Sequence, residues 1–213
     1  LQRGEVHALY MGILGAMTAA LAFVADMDGT LVHYNEAVEA QADIVKLPAS
    51  SSGKIGLVSK TTLRLLDDVA ATGVVVACAS GMRVATMHKR QAHFPAVKYW
   101  ICENGGRIFE RTAAVGGDGA SAGAGMIELL DWRRIGDDDK ESKEALEQFK
   151  MACRAHEGFG RDFVLDDQGY FTMARIKATS SHRNKAATLA QVAALVPPCL
   201  TTTMNLGYFG VCY

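Results

Sequence analysis

The chain has 213 residues, 49% of them hydrophobic and 21% charged, close to the globular average, which excludes wholesale disorder, collagen-like repeats and coiled coil. Lys and Arg total 22 against 23 Asp and Glu, a formal charge of -1, so no global field draws the chain to nucleic acid or to an anionic membrane. Its five cysteines, Cys78, Cys102, Cys153, Cys199 and Cys212, are scattered and form no CxxC pair, which argues against a disulfide framework or structural zinc and for an intracellular reducing compartment.

The uncharged stretch from Ala8 to Ala25 reaches the lower limit of about 18 residues for a membrane span. Ala and Gly dominate it and it runs straight into Asp26, so it reads as an apolar helix within residues 1–19 followed by a buried strand, Leu21–Ala25. Residues 20–111 then alternate as an α/β core demands: a helix over Ser59–Ala71 stopped by Gly73, a strand over Val74–Ala79, a crossover helix over Met82–His93 and a strand over Tyr99–Cys102. Val45–Gly56 interrupts this pattern and reads as a solvated loop around Pro48–Gly53. A Gly/Ala-rich linker is expected over 112–125.

An α+β unit follows over 126–213. It contains a helix within Asp137–His156, a hairpin of Phe163–Asp166 and Tyr170–Ile176 turning at Asp167-Gln-Gly169, a helix over Asn184–Leu195 and a strand pair between Leu200 and Tyr213.

Chemistry concentrates where the strands end. Phe23-Val-Ala-Asp26-Met-Asp28-Gly-Thr30 is an apolar strand running into two acids spaced i and i+2 and then a Gly turn. The end of a parallel strand is where an open α/β sheet forms its ligand crevice. Val74-Val-Val-Ala-Cys-Ala-Ser80-Gly81-Met-Arg83 ends likewise in a small hydroxyl and Gly, with Ser80 also suited to capping a helix. In Tyr99-Trp-Ile-Cys-Glu103-Asn104-Gly105-Gly106-Arg107, Asn104 and Gly105 equally suit a tight turn that needs positive φ.

These three segments, in this order, resemble motifs of the haloacid dehalogenase superfamily of phosphohydrolases. The third resembles the ENG signature of its subgroup with a large α/β cap, which includes sucrose-phosphate, trehalose-phosphate and Cof-type sugar phosphatases and phosphomannomutase. The resemblance implies a Rossmann-like parallel-sheet core with an α+β cap domain. It implies Asp26 as nucleophile and Asp28 as general acid and base. The backbone around Met27 and Asp28, with Ser80 and Gly81, would hold the phosphoryl group, and Mg2+ would bind the Asp26 carboxylate and the Asp28 carbonyl. Arg83, Asn104 and Arg107 would meet substrate. The implied partner is a small phosphorylated metabolite, a sugar phosphate being the leading substrate. A phosphomutase-like transfer or a catalytically silent binding relative are the alternatives.

The family pattern also includes a Lys and then an acidic fourth motif. No Asp or Glu follows Asp167, and Lys185 reads instead as the first-turn residue of a cap helix. The core is therefore expected to be incomplete on its C-terminal side, leaving the strand before Asp26 with an apolar edge for the N-terminal helix or a second chain to cover.

Overall fold

A computed structural model of the chain describes residues 21–35, 43–112, 125–129, 140–179, 185–205 and 208–212. The expected N-terminal helix and nearly all of the expected linker lie outside them. The described residues form strands β1 (Ala22–Asp26), β2 (Ile44–Lys46) and β3 (Leu57–Ser59), helix α1 (Lys60–Ala71), β4 (Val75–Ala79), helix α2 (Val84–Arg90), and strands β5 (Val97–Cys102), β6 (Arg107–Arg111) and β7 (Met126–Glu128). Helix α3 (Lys140–Ala155), strands β8 (Phe163–Asp166) and β9 (Met173–Ala178), helix α4 (Lys185–Ala193) and strands β10 (Thr201–Asn205) and β11 (Tyr208–Cys212) complete them.

The strands make a five-stranded sheet ordered β1-β4-β5-β6-β7, a four-stranded sheet ordered β10-β11-β9-β8 and the two-stranded pair β2-β3. This is the α/β, Rossmann-like architecture with an added α+β portion that the sequence implies, and β1 runs parallel to β4 with Asp26 opposite Ala79. By spatial grouping, residues up to Ala79, His88–Trp100 and Glu110–Met126 form one compact unit; Ser80–Met87, Ile101–Phe109 and Ile127–Tyr213 form another.

In the first unit, α1 starts where the Ser59 hydroxyl accepts the Thr62 N–H at 2.9 Å, and it ends before Gly73, whose φ of 84° no β-carbon favours. Leu66 of α1 and Val76 and Cys78 of β4 are buried. Phe23 and Val24 of β1 are instead exposed, at 42% and 48%, where the apolar run predicts a strand covered on both faces. Among the described residues β1 is the end strand of its sheet, bordered by β4 alone.

In the second unit, Leu146, Phe149 and Cys153 recur at helical spacing along α3 and pack with Phe163, Ala174 and Ile176 of the antiparallel sheet and Leu189 and Val192 of α4. Among the described residues, no helix is long and apolar enough to cross a membrane.

Two element boundaries move for identifiable reasons. The expected helix from Met82 begins at Val84, because the Met82 carbonyl accepts the Glu103 N–H at 3.2 Å instead of serving a helical turn; after Arg90 it tightens into a 3-10 turn over Gln91–His93. The hairpin strand expected from Tyr170 begins at Met173, because the Phe171 and Thr172 N–H groups donate to the Glu103 carboxylate, at 2.9 and 2.8 Å, and not to a neighbouring strand.

Candidate active site

Asp26 is the last residue of β1, and the backbone turns sharply after it. The Leu31 and Val32 N–H groups both donate to the Met27 carbonyl, at 3.1 and 2.8 Å, and Gly29 closes the loop with φ of 90° and its N–H on the Val32 carbonyl at 2.8 Å. The glycine is what lets the chain fold back within so few residues and leave Asp28 on an outward turn. Asp26 and Asp28 are exposed while Met27 between them is fully buried, which anchors the turn under the two acids.

Each acid has a hydroxyl beside it. Thr30 Oγ1 donates to Asp26 Oδ2 at 3.4 Å, and the Tyr34 hydroxyl donates to Asp28 Oδ1. Tyr34 Oη in turn accepts Arg90 Nη1 at 3.1 Å. Burial raises the Tyr34 pKa; the Arg90 hydrogen bond opposes this and the Asp28 carboxylate adds to it, leaving the phenol protonated at neutral pH. Beneath the acids, burial and then the charges of Asp26 and Asp28 push the Cys78 thiol far above its ordinary range, so it is an inert packing residue.

The expected phosphate-binding groups divide. The Met27 N–H already donates to the Ala79 carbonyl at 3.3 Å, so Met27 serves the sheet and shapes the turn. Ser80, next in the chain after Ala79, is buried, and its hydroxyl accepts the Met82 N–H at 3.1 Å, the capping use that its position also allows. A β-carbon at Gly81 would lie 2.6 Å from Asn104 Oδ1, so the second and third sequence segments meet through a glycine that leaves room for that amide. Asn104 and Gly105 have φ of 56° and 100°, the tight turn that their identities equally suited.

Arg83 and Arg107, expected at substrate, each hold a carboxylate of this chain. Arg83 bonds Asp166 and the Gln168 carbonyl and lies 4.4 Å from the Tyr170 ring centroid. Arg107 bonds both Glu128 oxygens at 2.6 Å, the bidentate geometry that a guanidinium favours, and these bonds raise its pKa against the effect of burial. The sequence reading missed Tyr34, Arg90 and Glu103. Tyr34, close to Asp28 in the chain, carried a faint signal; nothing in the sequence points from Asp28 to Arg90.

Asp26 and Asp28 supply carboxylate and carbonyl oxygens on an exposed turn, the hard donors that Mg2+ takes. That ion is commonly held by one or two carboxylates and completed by waters and substrate oxygens, so the turn fits it. Among the described residues no group of three or more His, Cys, Asp or Glu side chains gathers to form a fuller cage.

No protein-family model matches the chain, and no curated protein matches it in sequence. Solved structures do match. The sucrose-phosphatase of Synechocystis sp. PCC6803, solved with sucrose and phosphate, superposes with a TM-score of 0.51 at 10% identity, over 92% of this chain and 64% of that one. The chain has the haloacid dehalogenase-like α/β fold. Two other proteins with lower scores are a haloalkanoate-superfamily phosphatase of Bacteroides thetaiotaomicron (TM-score 0.44, 17% identity, 91% of this chain, 66% of that) and a trehalose-6-phosphate phosphatase related protein (0.41, 13%, 89%, 66%). The chain thus spans 64% to 66% of the length of these proteins.

Proposed function

We propose that the protein is a Mg2+-dependent phosphatase of small phosphomonoesters, a sugar phosphate being the leading substrate. The observation that carries this reading is the turn after β1: an exposed carboxylate at the end of a parallel strand, a second exposed carboxylate two residues on, and a hydroxyl held on each. Fold likeness to a sucrose-phosphatase supports it.

In this reading an Asp26 carboxylate oxygen attacks phosphorus, the bond from phosphorus to the leaving oxygen breaks, and Asp28, protonated, gives that oxygen its proton. Asp28, now a carboxylate, takes a proton from the water that attacks the aspartyl-phosphate, which releases phosphate and restores Asp26. The Asp26 carboxylate and the Asp28 carbonyl would hold Mg2+, which when bound would offset the repulsion between two anions. The Asp28 N–H, the Ser80 hydroxyl and the Gly81 N–H are proposed to hold phosphoryl oxygens, and Asn104 to reach substrate. Arg83 and Arg107, each already on a carboxylate, are proposed to shape the substrate's surroundings rather than to carry its charge.

The test is phosphate release from a panel of sugar phosphates with and without Mg2+. Metal-dependent release that falls to background in Asp26→Asn is expected; undiminished turnover by Asp26→Asn, or turnover that ignores the metal, would contradict the mechanism.

A further inference from the structure

Arg90 is 1% exposed, and no acidic side chain pairs with it among the described residues. Each of its three nitrogens donates to an oxygen: Nε to the Pro48 carbonyl at 3.2 Å, Nη2 to the Lys54 carbonyl at 3.2 Å and Nη1 to Tyr34 Oη at 3.1 Å. The space for it is cut to measure, since a β-carbon at Gly56 would come within 3.1 Å of Nη2 and 2.6 Å of Val32 Cγ1. A buried guanidinium held at all three of its nitrogens is a rigid fixture, and it restrains the side chain it bonds.

Direction follows from the donor inventory. Arginine only donates, so the Tyr34 oxygen accepts from Arg90 and must turn its own proton outward, toward Asp28 Oδ1. The chain Arg90, Tyr34, Asp28 therefore runs one way, from a buried cation through a phenol to an exposed carboxylate.

We infer that Tyr34, backed by Arg90, is a positioning residue that fixes the Asp28 carboxylate on Oδ1 and so aims Oδ2 for proton transfer to and from the reacting oxygens. The inference rests on the Proposed function in giving Asp28 that task. Tyr34 keeps its own proton throughout; the proton that moves is the one on Asp28, which passes to the leaving oxygen as its bond to phosphorus breaks and is regained from water in the second step. Misaiming a proton donor costs rate only where the leaving group needs the proton.

The experiment compares Tyr34→Phe with the parent on two substrates: a sugar phosphate, whose alkoxide leaving group needs a proton, and p-nitrophenyl phosphate, whose phenolate departs without one. Tyr34 is 41% exposed, so Phe removes the hydroxyl with little change in packing, and a thermal melt confirms the fold. The expected result, read as the single-turnover rate of leaving-group release so that the second step common to both substrates does not enter, is a loss of about tenfold or more on the sugar phosphate and under about twofold on p-nitrophenyl phosphate. Equal losses on both substrates would mark Tyr34 as merely structural and overturn the inference, as would no loss on either. A parent that releases phosphate from neither substrate would overturn the phosphatase reading itself, and the inference with it, an outcome distinct from the other two.

Discussion

Glu103 shows how much one side chain decides. It is fully buried, its backbone sits at φ of 54°, and its Oε2 accepts the Phe171 N–H, the Thr172 N–H and the Thr172 hydroxyl. Gly106 lets Thr172 approach, since a β-carbon there would overlap the threonine hydroxyl. Removing the carboxylate strands two backbone donors, so Glu103→Ala is expected to cost about 2–4 kcal/mol in denaturant unfolding. Glu103→Gly loses the same bonds but relieves the positive φ and should be less destabilised than the alanine by about 1 kcal/mol. Equal stabilities for the two variants would show that the backbone strain is not real. The ENG run was legible as a turn, through Asn104 and Gly105; that its glutamate would reach a loop far along the chain was not, because a buried carboxylate advertises no partner.

Among the elements, those with a period or a cap were readable and those set by distant partners were not. Helix α1 matches expectation because Ser59 and Gly73 punctuate it, and Ser59→Ala should cost about 1 kcal/mol through the lost Thr62 bond, read as a shift in the unfolding midpoint at unchanged slope. Strands β2 and β3, three residues each, offer too little alternation to be seen; β2 overlaps the expected Val45–Gly56 loop and β3 follows it directly. The β8–β9 hairpin was legible from its turn, but its lock was not. Asp166 of β8 faces Lys177 and Arg175 of β9 and also Arg83. Burial pushes the Asp166 pKa up, yet Lys177, Arg83 and Arg175 outweigh it and hold the carboxyl below its ordinary 3.8. A depressed native pKa means that the ion pairs stabilise the fold above the unfolded value, and that this contribution fades as pH falls through the native one. Asp166→Asn should therefore be less stable than the parent at pH 7, with the gap closing at pH values below about 4. A gap that stays constant down to pH 2 in urea melts would refute the linkage.

At the scale of the molecule, the alternation of strand and helix made the α/β class readable, since a parallel sheet demands that order and β1 and β4 supply it. The sequence alone divides the chain at its Gly/Ala-rich stretch, and spatial grouping puts Ser80–Met87 and Ile101–Phe109 with the residues from Ile127 onward. Within that grouping Arg83, Glu103 and Arg107 each reach a carboxylate or backbone group beyond residue 127. Such long-range polar pairs have no period and leave no trace in hydrophobic pattern. What composition could exclude, and what strand ends could point to, was the chemistry, which the proposed reading places on Asp26. The most direct measurement is acid-quenched turnover of a sugar phosphate with Mg2+, followed by mass spectrometry of the peptide that carries the turn after β1. The account predicts one added phosphoryl group on Asp26, labile to hydroxylamine and absent in Asp26→Asn. Turnover with no phosphoryl group on Asp26, or with one on another residue, would contradict it.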